Sequence, residues 1–201
     1  GYTKDYGAEK LLRDSLVLPI YEGTSQIQSL MATKDTLNGI LQNPQAFIRR
    51  RAQAQWSAVS ARDTLERRVA RIQAICYSAQ QHLLTRTARK KFASLQGKPI
   101  GSWPKAFFKD WDPKKDFAFA LLHAEHLTQL LSDAAITRIL LEQSQRHPER
   151  REVLVRYLER AEPRSRYMAA RIHSPGNRLL EQLAGEDDPQ QAEINELREK
   201  V

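Results

Sequence analysis

The feature that most constrains this chain is a run of apolar residues from Ser57 to about Leu95, spaced for a helix. Val59, Leu65, Val69, Ile72, Cys76, Ala79 and Leu83 recur at steps of three, four and six, which a 3.6-residue period gathers onto one stripe. A long amphipathic helix of this kind must bury its stripe against other helices, and antiparallel packing is the usual solution. The same period recurs elsewhere. Leu11, Leu12 and Leu16 form the apolar side of a first helix that Asp5 can cap, that ends near Asp14 and that Leu18-Pro19-Ile20 breaks. A second opens at Thr24 or Ser25 and runs to about Gln42, with Ile27, Leu30, Met31, Leu37, Ile40 and Leu41 on it. Pro44 starts a third, carrying Phe47 and Ile48. After a loop from Gly97 through Trp111, Asp112-Pro113 caps a helix with Phe117, Phe119, Leu122, Leu127, Leu130, Leu131, Ala134, Ile139 and Leu140. Pro148, Pro163 and Pro175 are expected to divide the remainder into short helices. No stretch alternates with period two and no repeat is visible. The expected fold is all-α, a helical bundle.

Hydrophobic residues at 41% and charged ones at 28% are enough for a packed core and exclude global disorder. The single cysteine, Cys76, excludes an intramolecular disulfide framework and a cysteine-based zinc cluster; it reads as a small buried hydrophobe. No apolar run approaches the roughly 18 residues a membrane-crossing helix needs. The chain opens on Gly1-Tyr2 without a signal peptide, so it is expected to be a piece of a longer, cytoplasmic protein. Charge is unevenly spread: −1 over 1–43, +13 over 44–184 and −4 over 185–201. Asn43-Pro44 marks the first boundary, because the residue before proline is pushed out of the α region, and Gly185 with Pro189 marks the second. His123 and His126, with Glu125 between them, have a spacing that would allow two metal ligands, but no third is visible. They read as packing or solvated histidines, and no metal is expected. His82, His147 and His173 have no recognisable partner.

The most informative segment lies at the head. Glu22 stands just before a helix start and is followed by Gly23, so its carboxylate can reach into a cleft with no side chain beside it. Free N–H groups of the first helical turn favour anionic groups there. Thr24 or Ser25 supplies the cap. In an apolar, closed site a carboxylate's pKa rises from roughly 4.3 towards neutrality, where a base works best. By itself, such a Glu is more often a surface residue favoured by the helix dipole.

Residues 1–31 carry more than this. Gly1-Tyr2, Asp5-Tyr6, Glu9-Lys10, Arg13-Asp14 and the run Ile20-Tyr21-Glu22-Gly23-Thr24-Ser25-Gln26-Ile27-Gln28 resemble the C-terminal end of the flavin-dependent acyl-CoA dehydrogenases. Two separated motifs recur in order, and the resemblance covers about 40 residues. Gly7 departs from it, standing where the family usually has proline. The resemblance implies that Glu22 is the base that removes the α-proton of an acyl-CoA thioester while the β-hydrogen leaves as hydride to FAD. It implies that the backbone at Gly23 lies against substrate and that Thr24, Ser25 and Gln26 contact FAD. It further implies an electron-transfer flavoprotein as electron acceptor, a homo-oligomer, and a place in fatty-acid β-oxidation. The family's site is assembled from three domains and a neighbouring subunit, so these 201 residues alone are expected to hold FAD poorly and to be inactive.

Residues 1–43 thus read as the end of the family's helical C-terminal domain, 44–184 as a basic helical extension and 185–201 as an acidic tail. The extension resembles the extra helical region of longer, very-long-chain-like family members. Its clusters, Arg49-Arg50-Arg51, Arg67-Arg68, Arg86, Arg89-Lys90-Lys91, Lys105, Lys109 and Lys114-Lys115, would be drawn to an anionic membrane surface at about 1 kcal/mol per charge, although charge runs more often mark a solvated face. The alternative reading is a basic module for nucleic-acid binding, dimerisation or membrane contact without catalysis. Nucleic acid is not the expected partner, because the basic residues form no single recognition helix.

Overall fold

A computed structural model describes residues 7–17, 24–95 and 118–174. Among these residues 92% are helical and none lies in a strand, as the 3.6-residue periodicity requires. Among the described residues seven α-helices follow in order: α1 (Ala8–Ser15), α2 (Ser25–Gln42), α3 (Pro44–Ser60), α4 (Thr64–Leu95), α5 (Ala118–Leu122), α6 (Ala124–Arg146) and α7 (Arg151–His173). A 3-10 turn, Pro148–Arg150, joins α6 to α7. None of the described helices is long and apolar enough to cross a membrane.

The central element is α4, which packs against α3, α6 and α7, while α2 packs on α6. Two apolar clusters hold the bundle together. In the first, Leu37 and Ile40 of α2 meet Cys76, Ala79 and Leu83 of α4, Phe119 of α5, Leu127 and Leu130 of α6, and Ile172 of α7. In the second, Leu65, Val69 and Ile72 of α4 meet Leu154, Leu158 and Ala161 of α7. Each large side chain so buried stabilises the fold by about 1.5–3 kcal/mol relative to exposure. The stripe read from the sequence is therefore the core, with one exception: Val59 is 80% exposed.

That exception has a physical cause. The long helix does not begin at Ser57. α3 runs on to Ser60, Ala61 turns extended (φ −60°, ψ 137°), and α4 starts afresh at Thr64. Asp63 caps it: its carboxylate accepts the Leu65 N–H at 3.0 Å and receives Arg151 at 3.1 Å. The backbone bond from Leu65, followed by Arg151, holds the Asp63 carboxyl below the usual carboxylate range. Asp63 and Glu66 at capping-box spacing were the sequence signal for this break. At the α2–α3 junction the boundary falls where Pro44 puts it. Asn43 accepts the Ala46 N–H at 3.1 Å through its side chain, with Pro44 in the first turn of α3.

Two further differences concern proline and glycine. Pro163 does not end a helix; it lies inside the 23-residue α7. A proline there deprives the Glu159 carbonyl of its helical donor, but both residues face solvent, where water can replace it. Ion pairs on either side, Arg68–Glu162 and Asp133–Arg164, pin the helix across the defect. At α1 the N-cap is Gly7, not Asp5, which lies outside the described residues. Gly7 has φ +64° and gives no side-chain cap. A proline at this position is excluded because its ring fixes φ near −65°. Asp112-Pro113, the loop before it, Pro175 and the tail also lie outside the described residues.

Candidate functional site

The candidate site must be built from the mouth of α2, because Glu22 and Gly23 lie outside the described residues. Thr24 is extended (φ −64°, ψ 153°), and its hydroxyl oxygen accepts the Ile27 N–H at 3.4 Å. The extended cap turns the chain into the first helical turn, so the amides there point back toward the residues preceding Ser25. Thr24, Ser25 and Gln26 are all exposed at this mouth. Their hydroxyls, amide and backbone donors stand at the surface of this mouth, where a polar group can approach without desolvating a core.

Below the mouth, α2 turns its small polar residues inward. Ser29 and Thr33 are buried against the bundle, and the Ser29 hydroxyl donates to the Ser25 carbonyl at 2.7 Å. This reverses part of the expected stripe. Leu37 and Ile40 are core, whereas Ile27 is 54% and Met31 60% exposed. α1 buries none of its residues, and Leu11 is 74% exposed. The result is an outward apolar surface on α1 and the first half of α2. Beside the mouth, a cleft of about 330 Å³ is lined by Ser25 and Ser29 of α2, Glu125, His126 and Gln129 of α6, and Met168 of α7. Residues far beyond the head of the sequence thus reach its edge.

The expected packing role of His123 and His126 is visible, together with a cluster the sequence did not reveal. His123 lies edge-on to Phe119 at 4.9 Å and to His126 at 6.1 Å, while the His82 and His173 rings meet at 4.5 Å, tilted by 41°. The Arg86 guanidinium sits 4.3 Å over the Phe119 ring. Nε2 of His82, Nε2 of His123 and Nδ1 of His126 are buried without hydrogen-bond partners. Burial, followed by the neighbouring His126 and Arg171, pushes the His123 pKa down to about 4. Burial also lowers His82 and His126, with His173 and Arg171 respectively adding to it. No group of three or more metal-binding side chains is arranged around an ion position among the described residues. His82 and His173 are 91 positions apart, so no sequence spacing could have paired them.

These depressed values have a defined sign. The folded state keeps His123 neutral, whereas the unfolded chain takes up the proton below pH ~6.5. Stability is fully present above that value and falls as pH drops towards 4. At about 1.4 kcal/mol per pH unit the shift is worth roughly 3 kcal/mol, and partial solvation of the ring reduces this to about 2 kcal/mol. Urea melts at pH 7 and pH 4.5 check it. His123→Phe should lose clearly less stability between the two pH values than the parent; equal losses would place the acid sensitivity elsewhere.

Not all the basic clusters are free surface charge. Arg68 binds Glu162 through two bonds of 2.8 and 3.1 Å, and the hydrogen bond to Glu162 raises its pKa. With Arg86 over Phe119, two of the predicted cationic positions are engaged inside the bundle.

No protein-family model and no solved structure matches the chain. A stretch of it is similar to curated acyl-CoA dehydrogenases. It is 56% identical over 39 residues to the acyl-CoA dehydrogenase of Bacillus subtilis, covering 19% of this chain and 10% of that protein. It is 55% identical over 31 residues to the short-chain-specific acyl-CoA dehydrogenase of Clostridium acetobutylicum, covering 15% and 8%. The chain therefore spans about a tenth of the length of these relatives, and the likeness to them is confined to stretches of 39 and 31 residues.

Proposed function

We propose that residues 1–43 act as the catalytic end of a flavin-dependent acyl-CoA dehydrogenase, working with domains supplied by a longer polypeptide and by a second subunit, and that 44–184 form its helical extension. The observation that carries this reading is the capped, solvent-accessible helix mouth at Thr24, directly after Glu22-Gly23, in a chain with a stretch similar to acyl-CoA dehydrogenases. The outward apolar surface of α1 and α2 supports it, because Leu11, Ile27 and Met31 offer an uncovered face on which further domains can pack.

In this reading the Glu22 carboxylate takes the α-proton of the acyl-CoA. The Cα–H bond breaks, a carboxyl O–H forms, and the electron pair moves towards the α,β-bond. The Glu22 backbone N–H steadies the charge that develops on the thioester oxygen. FAD, if bound there, would supply the acceptor for the β-hydrogen as hydride. Thr24, Ser25 and Gln26 hold its polar edge, and Gly23 lets the backbone approach substrate without a Cβ. An electron-transfer flavoprotein would be the electron acceptor of such an enzyme.

The test is spectroscopic. The intact protein should purify with bound yellow flavin whose absorbance bleaches when an acyl-CoA is added without oxygen. The 201 residues alone should hold little flavin. An intact protein that neither retains nor takes up FAD overturns the reading.

A further inference from the structure

Two adjoining clefts on another part of the bundle share Arg50 of α3 with Tyr77 and Gln80 of α4. One, of about 250 Å³, is closed by Leu131, Ala134 and Arg138 of α6. The other, of about 300 Å³, extends to α2 and has Asp35 in its lining. Each is near the lower end of small-molecule site volumes, roughly 300–1,000 Å³. Both stand open to solvent and combine an apolar floor with a few polar groups. Cys76 and Leu131 form part of the floor, and buried Gln80 is fixed by donating to the Cys76 sulfur at 3.2 Å. Tyr77 packs edge-on to Phe47 at 5.7 Å, which holds the Tyr77 ring where the clefts meet.

The charges of the first cleft are both cationic, and Arg50 and Arg138, which carry them, are exposed. Arg68, Arg151 and Arg164 each meet a carboxylate. Arg50 and Arg138 meet none among the described residues, and no acidic side chain lines the first cleft. Two guanidiniums lining one small cleft repel each other, and a dianion between them reverses that sign. The guanidinium fork matches phosphate oxygens through charge-assisted bonds.

We propose that these joined clefts bind a phosphate monoester carried on a small planar ring, of the nucleoside monophosphate class, with Arg50 and Arg138 on the phosphate and the ring between Tyr77 and the Leu131–Ala134 floor. The site is separate from the α2 mouth and does not depend on the flavin reading.

The probe is adenosine 5′-monophosphate, titrated calorimetrically into the intact protein at about 0.15 M salt. Binding with a Kd of about 0.1–1 mM is expected. Arg50→Gln and Arg138→Gln should each weaken it at least ~10-fold. Arg49→Gln removes the same charge from the same turn of α3 without lining either cleft, and should leave the affinity within ~2-fold. A loss in Arg49→Gln equal to that in Arg50→Gln means general attraction to a basic surface and overturns the proposal. Unchanged affinity in Arg50→Gln and Arg138→Gln places the nucleotide elsewhere, such as a flavin or CoA site, and also overturns it. Adenosine or inorganic phosphate binding as tightly as the monophosphate does the same, as does the absence of binding heat at ~10 mM.

Discussion

Glu22→Gln in the intact protein is expected to leave FAD bound while lowering α-proton abstraction by about 10²–10⁴-fold, the usual contribution of a positioned base. Gln has nearly the shape of Glu and keeps a hydrogen-bonding head, so the α2 mouth and its Thr24 cap should survive. What it lacks is a lone pair basic enough to take a carbon-bound proton. The measurement is exchange of the acyl-CoA α-hydrogen with deuterated solvent, read beside the flavin spectrum. An unchanged spectrum with exchange lost assigns the base. Exchange within ~10-fold of the parent moves the base to another residue, while loss of flavin means that the variant damaged the site instead. A further signature is pH. A carboxylate desolvated in a closed site has a raised pKa, so proton abstraction should climb with pH through that value.

Asp133→Leu should destabilise the bundle by about 3 kcal/mol. Asp133 is 0% exposed and accepts from Arg164 at 2.9 and 2.6 Å and from the Tyr157 hydroxyl at 2.9 Å. Removing the carboxylate leaves a guanidinium and a phenol facing apolar surface. The figure is taken at the low end because the Arg164 side chain is 36% exposed and still reaches water. The hydrogen bond to Asp133 raises the Arg164 pKa, while burial, followed by Asp133, pushes the Tyr157 hydroxyl up to about 12. Urea melts read the effect. Asp133→Leu combined with Arg164→Met should recover part of the loss, because no charge is then left without a partner. A single-variant loss below ~1 kcal/mol would show that the network adds little to stability.

Asp133 also shows what was readable. An acidic residue between Leu130 and Ala134, on the inward side of a strongly apolar helix, needs a partner. The chain alone does not say that the partner is Arg164, 31 positions on. The same holds for Pro163. Its chemistry is local and predicts a break, but the helix persists because solvent serves the freed carbonyl and two ion pairs hold both flanks. Ile27, Leu30 and Met31 fit the period as well as Leu37 and Ile40 do, yet they lie on the exposed side. Periodicity identifies a stripe; which part of it is covered depends on what else packs there.

The sequence by itself determined the helical class, the stripe of α4, a helix start at Thr24 or Ser25 and the Asn43-Pro44 junction. These follow from backbone sterics and from periods of a few residues, which act between near neighbours. It also carried the family-like stretch around Glu22, because a linear motif needs no coordinates. Only the tertiary structure decided the histidine cluster, the Asp133 network, the continuity of α7 through Pro163 and the shared lining of one cleft by Arg50 and Arg138. Each of these joins residues far apart in the chain, and their proximity is fixed by how whole helices bury their faces against one another.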